Sequence, residues 1–144
     1  MPLELPRATQ CPFCDYLAGT TPCAFVHRGA TVSTFVNHAQ YERGALLVVP
    51  NEHVGSLLDL SEPVLADIYC EAQRLAHLLA DRLGATGVNV FQNNGIAAGQ
   101  TVPHFHVHVV PRYSTSDPGR RFREADFDVT PIEELQRLAA ELSR

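Results

Sequence analysis

Nowhere in the 144 residues does an apolar run approach the ~18–20 residues that a membrane-spanning helix needs. The opening stretch, MPLELPRATQ, lacks the apolar core of a secretory signal peptide. Basic residues are not in excess either: 11 Lys+Arg face 16 Asp+Glu, a formal net charge of −5. A sequence-independent DNA binder needs a basic footprint, so this balance argues against a nucleic acid polymer as partner. It still admits a small anionic ligand held by amides, dipoles or a few cations. No repeat, low-complexity stretch or long linker divides the chain. Apolar residues at 45% and charged ones at 19% exclude a disordered tail, a collagen and a coiled coil. The expectation is one soluble domain over residues 1–144, cytoplasmic and without a membrane partner, large enough to bury a core without disulfide staples. In that reducing setting Cys11, Cys14, Cys23 and Cys70 are expected to be free or metal-bound.

The segments read as a mixture of strands and helices. Thr31 to Val36 and Ala45 to Pro50 read as extended, and the second, ALLVVP, suits a strand buried on both faces. A helix is expected from a cap at Ser61, with Pro63 in its first turn and Gly84 ending it. Leu65, Ile68, Ala72, Leu75, Leu79 and Leu83 recur along it at helical spacing. Residues 87–92 alternate as a half-buried strand, the uncharged loop NNGIAAGQ follows, and a strand is expected from His104 to Val110. Residues 113–126, with Arg120, Arg121 and Arg123, read as an exposed loop. Thr130 and Glu133 have the spacing of a capping box that opens a last helix. Ile132, Leu135, Leu138, Ala139 and Leu142 form the apolar face of that helix. Without a regular βαβ rhythm, the expected class is α+β: a mainly antiparallel sheet, one long central helix and a C-terminal helix.

The histidines carry the strongest chemical signal. His104, His106 and His108 alternate with Phe105, Val107 and Val109, so an extended chain projects three imidazoles from one face, anchored ~6–7 Å apart. An ordinary solvent-facing strand would mix Lys, Glu, Thr and Ser on that face. The row reads instead as a three-histidine metal site or as imidazole catalysis. The preceding loop brings Asn93, Gly95, Gly99, Gln100 and Thr101, neutral donors suited to phosphate oxygens.

HFHVHVV resembles the histidine triad motif, His-φ-His-φ-His-φ-φ with φ apolar, and NNGIAAGQT and ALLVVPNEH are similar to the segments that accompany it. The resemblance runs from Cys11 to about Arg112. It implies the histidine triad fold, usually as a homodimer, and hydrolase or transferase chemistry at the α-phosphate of a nucleotide through a nucleotidyl-histidine. It makes His106 the nucleophile, turns His108 to the phosphate, and gives Asn93, Gln100 and Thr101 the phosphate and leaving-group contacts. Asn37 falls where many members bind the ribose hydroxyls through Asp. One position departs: many members carry a histidine that backs the triad where this chain has Ala45 after Gly44.

Cys11-x-x-Cys14 alone admits a redox pair, half a zinc site or two core residues. The resemblance implies structural zinc, because many bacterial-type members hold it with two such cysteines. A histidine after the upstream strand, here His53, and the first triad histidine, here His104, complete their ligand set. Cys23 and Cys70 are expected to be buried thiols, and His27, His38 and His77 receive no role. Two substrate types compete under this resemblance. Asn37 and GQT lean towards dinucleoside polyphosphates, and the CPFC head towards adenosine phosphoramidates or aminoacyl adenylates. A nucleotide-binding regulatory or scaffold protein with weak catalysis is the alternative function.

Overall fold

A computed structural model describes residues 2–143. Its elements are α1 (Pro12–Ala18), β1 (Phe25–Arg28), β2 (Val32–Val36), β3 (Leu46–Pro50), α2 (Glu62–Leu83), β4 (Gly87–Phe91), β5 (Val107–Arg112) and α3 (Ile132–Leu142). The five strands form one antiparallel sheet in the order β1-β2-β3-β5-β4, so the class is α+β as expected.

Both faces of the sheet are covered at β3, which explains its unbroken apolar run. Leu46 and Val48 join Val107, Val109 and Phe105 in the main core beneath α2 and α3. Leu47 and Val49 face the other way, against Phe13 of α1 and Phe35 of β2. The site lies on this second side. Helix α2 buries Ile68, Ala72, Leu75 and Leu79, and ends where Gly84 turns left-handed with φ 69°. Its Ser61 cap makes no side-chain hydrogen bond, so the Pro63 start and the packed stripe define the element.

Several expectations are corrected. Strand β5 begins at Val107, and His104 and His106 lie on the extended approach to it. The ladder with β3 stops at Val48↔Val107 because the next partner, Pro50, has no N–H to donate. The Pro50 carbonyl takes His104 Nε2 instead, and the Phe105 N–H goes to the Val54 carbonyl at 2.6 Å. The alternation still holds, since Phe105 and Val107 enter the main core while all three histidines stay out of it. The capping box does not form. Thr130 donates its N–H to the His38 carbonyl at 2.9 Å, beside the Ala39↔Val129 bridge, and α3 starts after Pro131 with no side-chain cap. Cys70 is exposed, because it sits across α2 from the Ile68–Ala72 stripe. Cys23 is half-buried, and burial pushes its thiol up to about 12.

Candidate functional site

Helix α1 opens with Cys11 as its N-cap, whose Sγ accepts from the Cys14 N–H at 3.4 Å. Pro12 suits the first turn, and Gly19 closes the helix in the left-handed region at φ 77°. The start of this short helix presents both sulfurs to His104. Cys11 Sγ lies 3.3 Å and Cys14 Sγ 3.6 Å from His104 Nδ1. His53 Nδ1 completes the group, 3.3 Å from Cys14 Sγ and 3.2 Å from His104 Nδ1. The four candidate ligand atoms all lie within 4.8 Å of one another. A tetrahedral zinc site has S···N edges of about 3.6 Å and N···N edges of about 3.3 Å, given its bond lengths. The cluster therefore has metal-site dimensions, and its donors are the types zinc takes.

The outer contact of His104 suits the same use. Its Nε2 lies 2.9 Å from the Pro50 carbonyl, which can only accept, so that nitrogen carries the proton and Nδ1 is left bare towards the sulfurs. Burial lowers the His104 pKa to about 4, keeping the ring neutral at neutral pH. Burial and the neighbouring Cys11 push the Cys14 thiol up to about 11, and a cation between the sulfurs supplies the charge that favours thiolate.

His106 is 6% exposed and lines the main cavity, a space of about 990 Å³. Its Nδ1 donates to the His104 carbonyl at 2.8 Å, which leaves the lone pair on Nε2. Burial holds its pKa below the ordinary value. The Phe13 ring stands edge-on to both His104 and His106, with centroids at 5.7 and 5.2 Å. The residue between the two cysteines thus packs against the central imidazole.

His108 stacks on Phe91 at 4.4 Å with the rings 7° apart, and Tyr41 covers it at 5.8 Å. Burial pushes its pKa down to about 3, and its buried Nδ1 has no hydrogen-bond partner among the described residues. Ala45 lies two residues before Leu47, the partner of His108, on the same sheet face and buried with Tyr41 and Val110. An alanine there supplies no side-chain polar partner for that nitrogen.

Asn37, Asn93 and Thr101 line the cavity with His106 and His108. Asn37 also accepts the Ala39 N–H on Oδ1 at 3.1 Å. Gln100 is differently disposed. Its Oε1 accepts the Gly95 N–H at 2.8 Å, and its Nε2 donates to the Gly55 and Val102 carbonyls, each at 2.8 Å. With its amide spent on the backbone, Gln100 braces the loop that carries Asn93 and Thr101.

Two further cavity residues had no signal of their own in the sequence. His38, a lone histidine, has its Nε2 2.7 Å from Glu124 Oε1. Glu124 comes from the segment read as a solvated loop, and its Oε2 accepts from the Thr101 hydroxyl at 3.2 Å. His38 leads the interactions that hold the Glu124 carboxyl below its ordinary pKa, against a partial burial that raises it. Phe122, three residues from Gly119 in the same segment, stacks on Tyr41 at 5.1 Å and 5°.

Comparison with known proteins gives a consistent result. The family model described as HIT domain matches residues 18–115, more than half of the chain. The chain is 32% identical over 133 residues to the adenosine 5'-monophosphoramidase hnt1 of Schizosaccharomyces pombe, covering 92% of this chain and 96% of that protein. It is 28% identical over 137 residues to the protein hit of Bacillus subtilis, with 95% and 94% covered. Its structure superposes with a TM-score of 0.77 on a Zn-bound histidine triad family protein from Mycobacterium smegmatis, at 31% identity and with 93% and 94% covered.

Proposed function

The chain belongs to the HIT domain family, and from that premise we propose that it is a nucleotide hydrolase or nucleotidyl transferase acting at an α-phosphate. The observation that carries this reading is the His106 tautomer: Nδ1 is tied to the His104 carbonyl at 2.8 Å, so Nε2 of a cavity-lining imidazole is the free nucleophile. Nε2 attacks phosphorus, the P–N bond forms, and the bond to the leaving group breaks with its electron pair. The departing group then takes a proton. Water attacks the nucleotidyl-histidine, the P–N bond breaks, and a nucleoside monophosphate leaves with the imidazole restored. His108 faces the phosphate beside His106, Asn93 donates to its oxygens, and Thr101 donates there when its hydroxyl turns away from Glu124. Asn37 holds the ribose hydroxyls, and Gln100 positions the donor loop.

Cys11, Cys14, His53 and His104 would hold zinc as a structural ion, linking α1 to the approach of β5. The Zn-bound histidine triad relative supports that choice of metal. The leading substrates are adenosine conjugates, and the likeness to a named phosphoramidase supports phosphoramidates among them. The chain acts as one domain over residues 1–144, as a cytoplasmic homodimer. The open sheet edge at β4, with Val90 42% exposed, offers apolar surface for pairing. Among the described residues no helix is long and apolar enough to cross a membrane.

The unpartnered His108 Nδ1 beside Ala45 favours one second reading, a nucleotide-binding regulator with weak catalysis. Turnover of an adenosine phosphoramidate and of a diadenosine polyphosphate, with AMP affinity by calorimetry, separates the two. In the enzyme reading His106→Ala abolishes turnover and spares AMP binding. Turnover by the variant at the parent's rate would remove His106 from the nucleophile's role.

A further inference from the structure

Beyond β5 the chain returns across the cavity. It is tied at one end through the Tyr113 hydroxyl to the Arg43 carbonyl, and at the other through the Ala39↔Val129 bridge. Phe122 from this strap covers Tyr41 and Phe91, the two rings that flank His108. Glu124, also in the cavity lining, spans two walls: Oε1 lies 2.7 Å from His38 Nε2, next to Asn37, and Oε2 lies 3.2 Å from the Thr101 hydroxyl.

A threonine hydroxyl has one proton to donate. While it donates to Glu124, it has none for a ligand phosphate. An ionised carboxylate is an acceptor only, and it competes for the same donors as a phosphate oxygen. We propose that Glu124 is a specificity-determining residue, whose carboxylate on Thr101 and His38 selects against nucleotides with several charged phosphates. The proposal rests on the nucleotide reading above and names which conjugates that site prefers: those whose leaving group is neutral or cationic. Each added phosphate brings another negative charge towards the same carboxylate.

Three of the four nearby arginines are engaged by other groups. Arg120 lies over the Phe127 ring at 4.7 Å, Arg123 pairs with Asp126 at 3.0 Å, and Arg112 sits between Glu42 and Phe122. Arg121, exposed at the rim, attracts anions in proportion to their charge and so opposes the carboxylate at the entrance. Changing Glu124 alone leaves all four arginines in place and isolates the carboxylate.

The test is calorimetry of the zinc-loaded protein with adenosine, AMP and ATP in buffer without added divalent cations. Glu124→Gln removes the charge while keeping size and an acceptor oxygen, and Glu124→Ala removes both. Adenosine affinity is expected to stay within about twofold, AMP to bind about threefold more tightly, and ATP about tenfold, for a like charge at partial exposure. The gain should shrink at high salt. Equal shifts for all three ligands, or ATP affinity unchanged or weakened in both variants, would overturn the proposal and leave the nucleotide reading standing. Failure of AMP to bind parent and variants alike would overturn both.

Discussion

Replacing Gln100 with Ala removes three hydrogen bonds from the loop between β4 and β5. In the structure the Gln100 side chain is 5% exposed as part of its residue, and it bonds Gly95 N–H, Gly55 C=O and Val102 C=O at 2.8 Å each. A typical internal hydrogen bond contributes about 1 kcal/mol net, so the bonds alone account for about 3 kcal/mol. The Gly95 N–H belongs to a buried residue and would lose that partner, a further cost of about 1–3 kcal/mol if no water enters. An expected loss of about 3–6 kcal/mol is large against the whole stability of a domain. Urea unfolding at fixed, saturating zinc reads it as a lower midpoint with an unchanged slope. Activity should fall as well, because Asn93 and Thr101 ride on the loop. Gln100→Glu sharpens the test. It sets a carboxyl group against two carbonyls, so burial and those acceptors raise the folded-state pKa above its unfolded value of about 4.3. Stability lost at neutral pH should then recover as pH falls through that raised value. A Gln100→Ala variant as stable as the parent but defective only in KM would refute the brace and return Gln100 to direct substrate contact.

Cys11→Ser with Cys14→Ser should release the metal and lower the melting temperature, read by metal analysis and calorimetry; unchanged metal content would sink the four-ligand site. Light scattering at micromolar concentration should give twice the chain mass, and a value of 15.8 kDa would contradict the dimer. Phe13→Ala, at a residue 6% exposed, should cost about 3–5 kcal/mol and slow turnover through the loosened His106 ring. Full turnover in that variant would sever the proposed link between α1 and the nucleophile. At Glu71, burial raises the carboxyl pKa, but Arg74 and Thr34 outweigh it and hold it below the ordinary value. Its contribution to stability is therefore present above the unfolded pKa and lost as pH falls through the folded one, so Glu71→Gln should flatten the acid limb of thermal stability. An acid limb identical to the parent's would contradict that linkage.

The parts of the fold legible in the sequence are those written locally. Pro63 and Gly84 mark α2, the run from Leu46 to Pro50 reads as a strand covered on both faces, and His-x-His-x-His sets three imidazoles apart from Phe105, Val107 and Val109. The metal cluster was legible only through a resemblance, because Cys11 and His104 lie 93 residues apart and no spacing rule joins them. What stayed hidden depends on distant partners. The start of β5 is decided by the missing N–H of Pro50, and the Thr130 cap is lost to the His38 carbonyl. The direction of Gln100 is set by Gly55 and Val102, and Phe122 and Glu124 turn inward because Tyr41, His38 and Thr101 await them. A polar segment of 113–126 carries no periodicity that reports such contacts.

The central claim is that His106 becomes covalently nucleotidylated during turnover. The stereochemical course at phosphorus tests it most directly, because each in-line displacement inverts the centre. A chiral adenosine 5'-phosphorothioate conjugate, hydrolysed in oxygen-18 water, should give product with net retention, two inversions through the nucleotidyl-histidine. Net inversion would mean that water attacks the substrate in a single step, and the nucleophilic role of His106 would be contradicted.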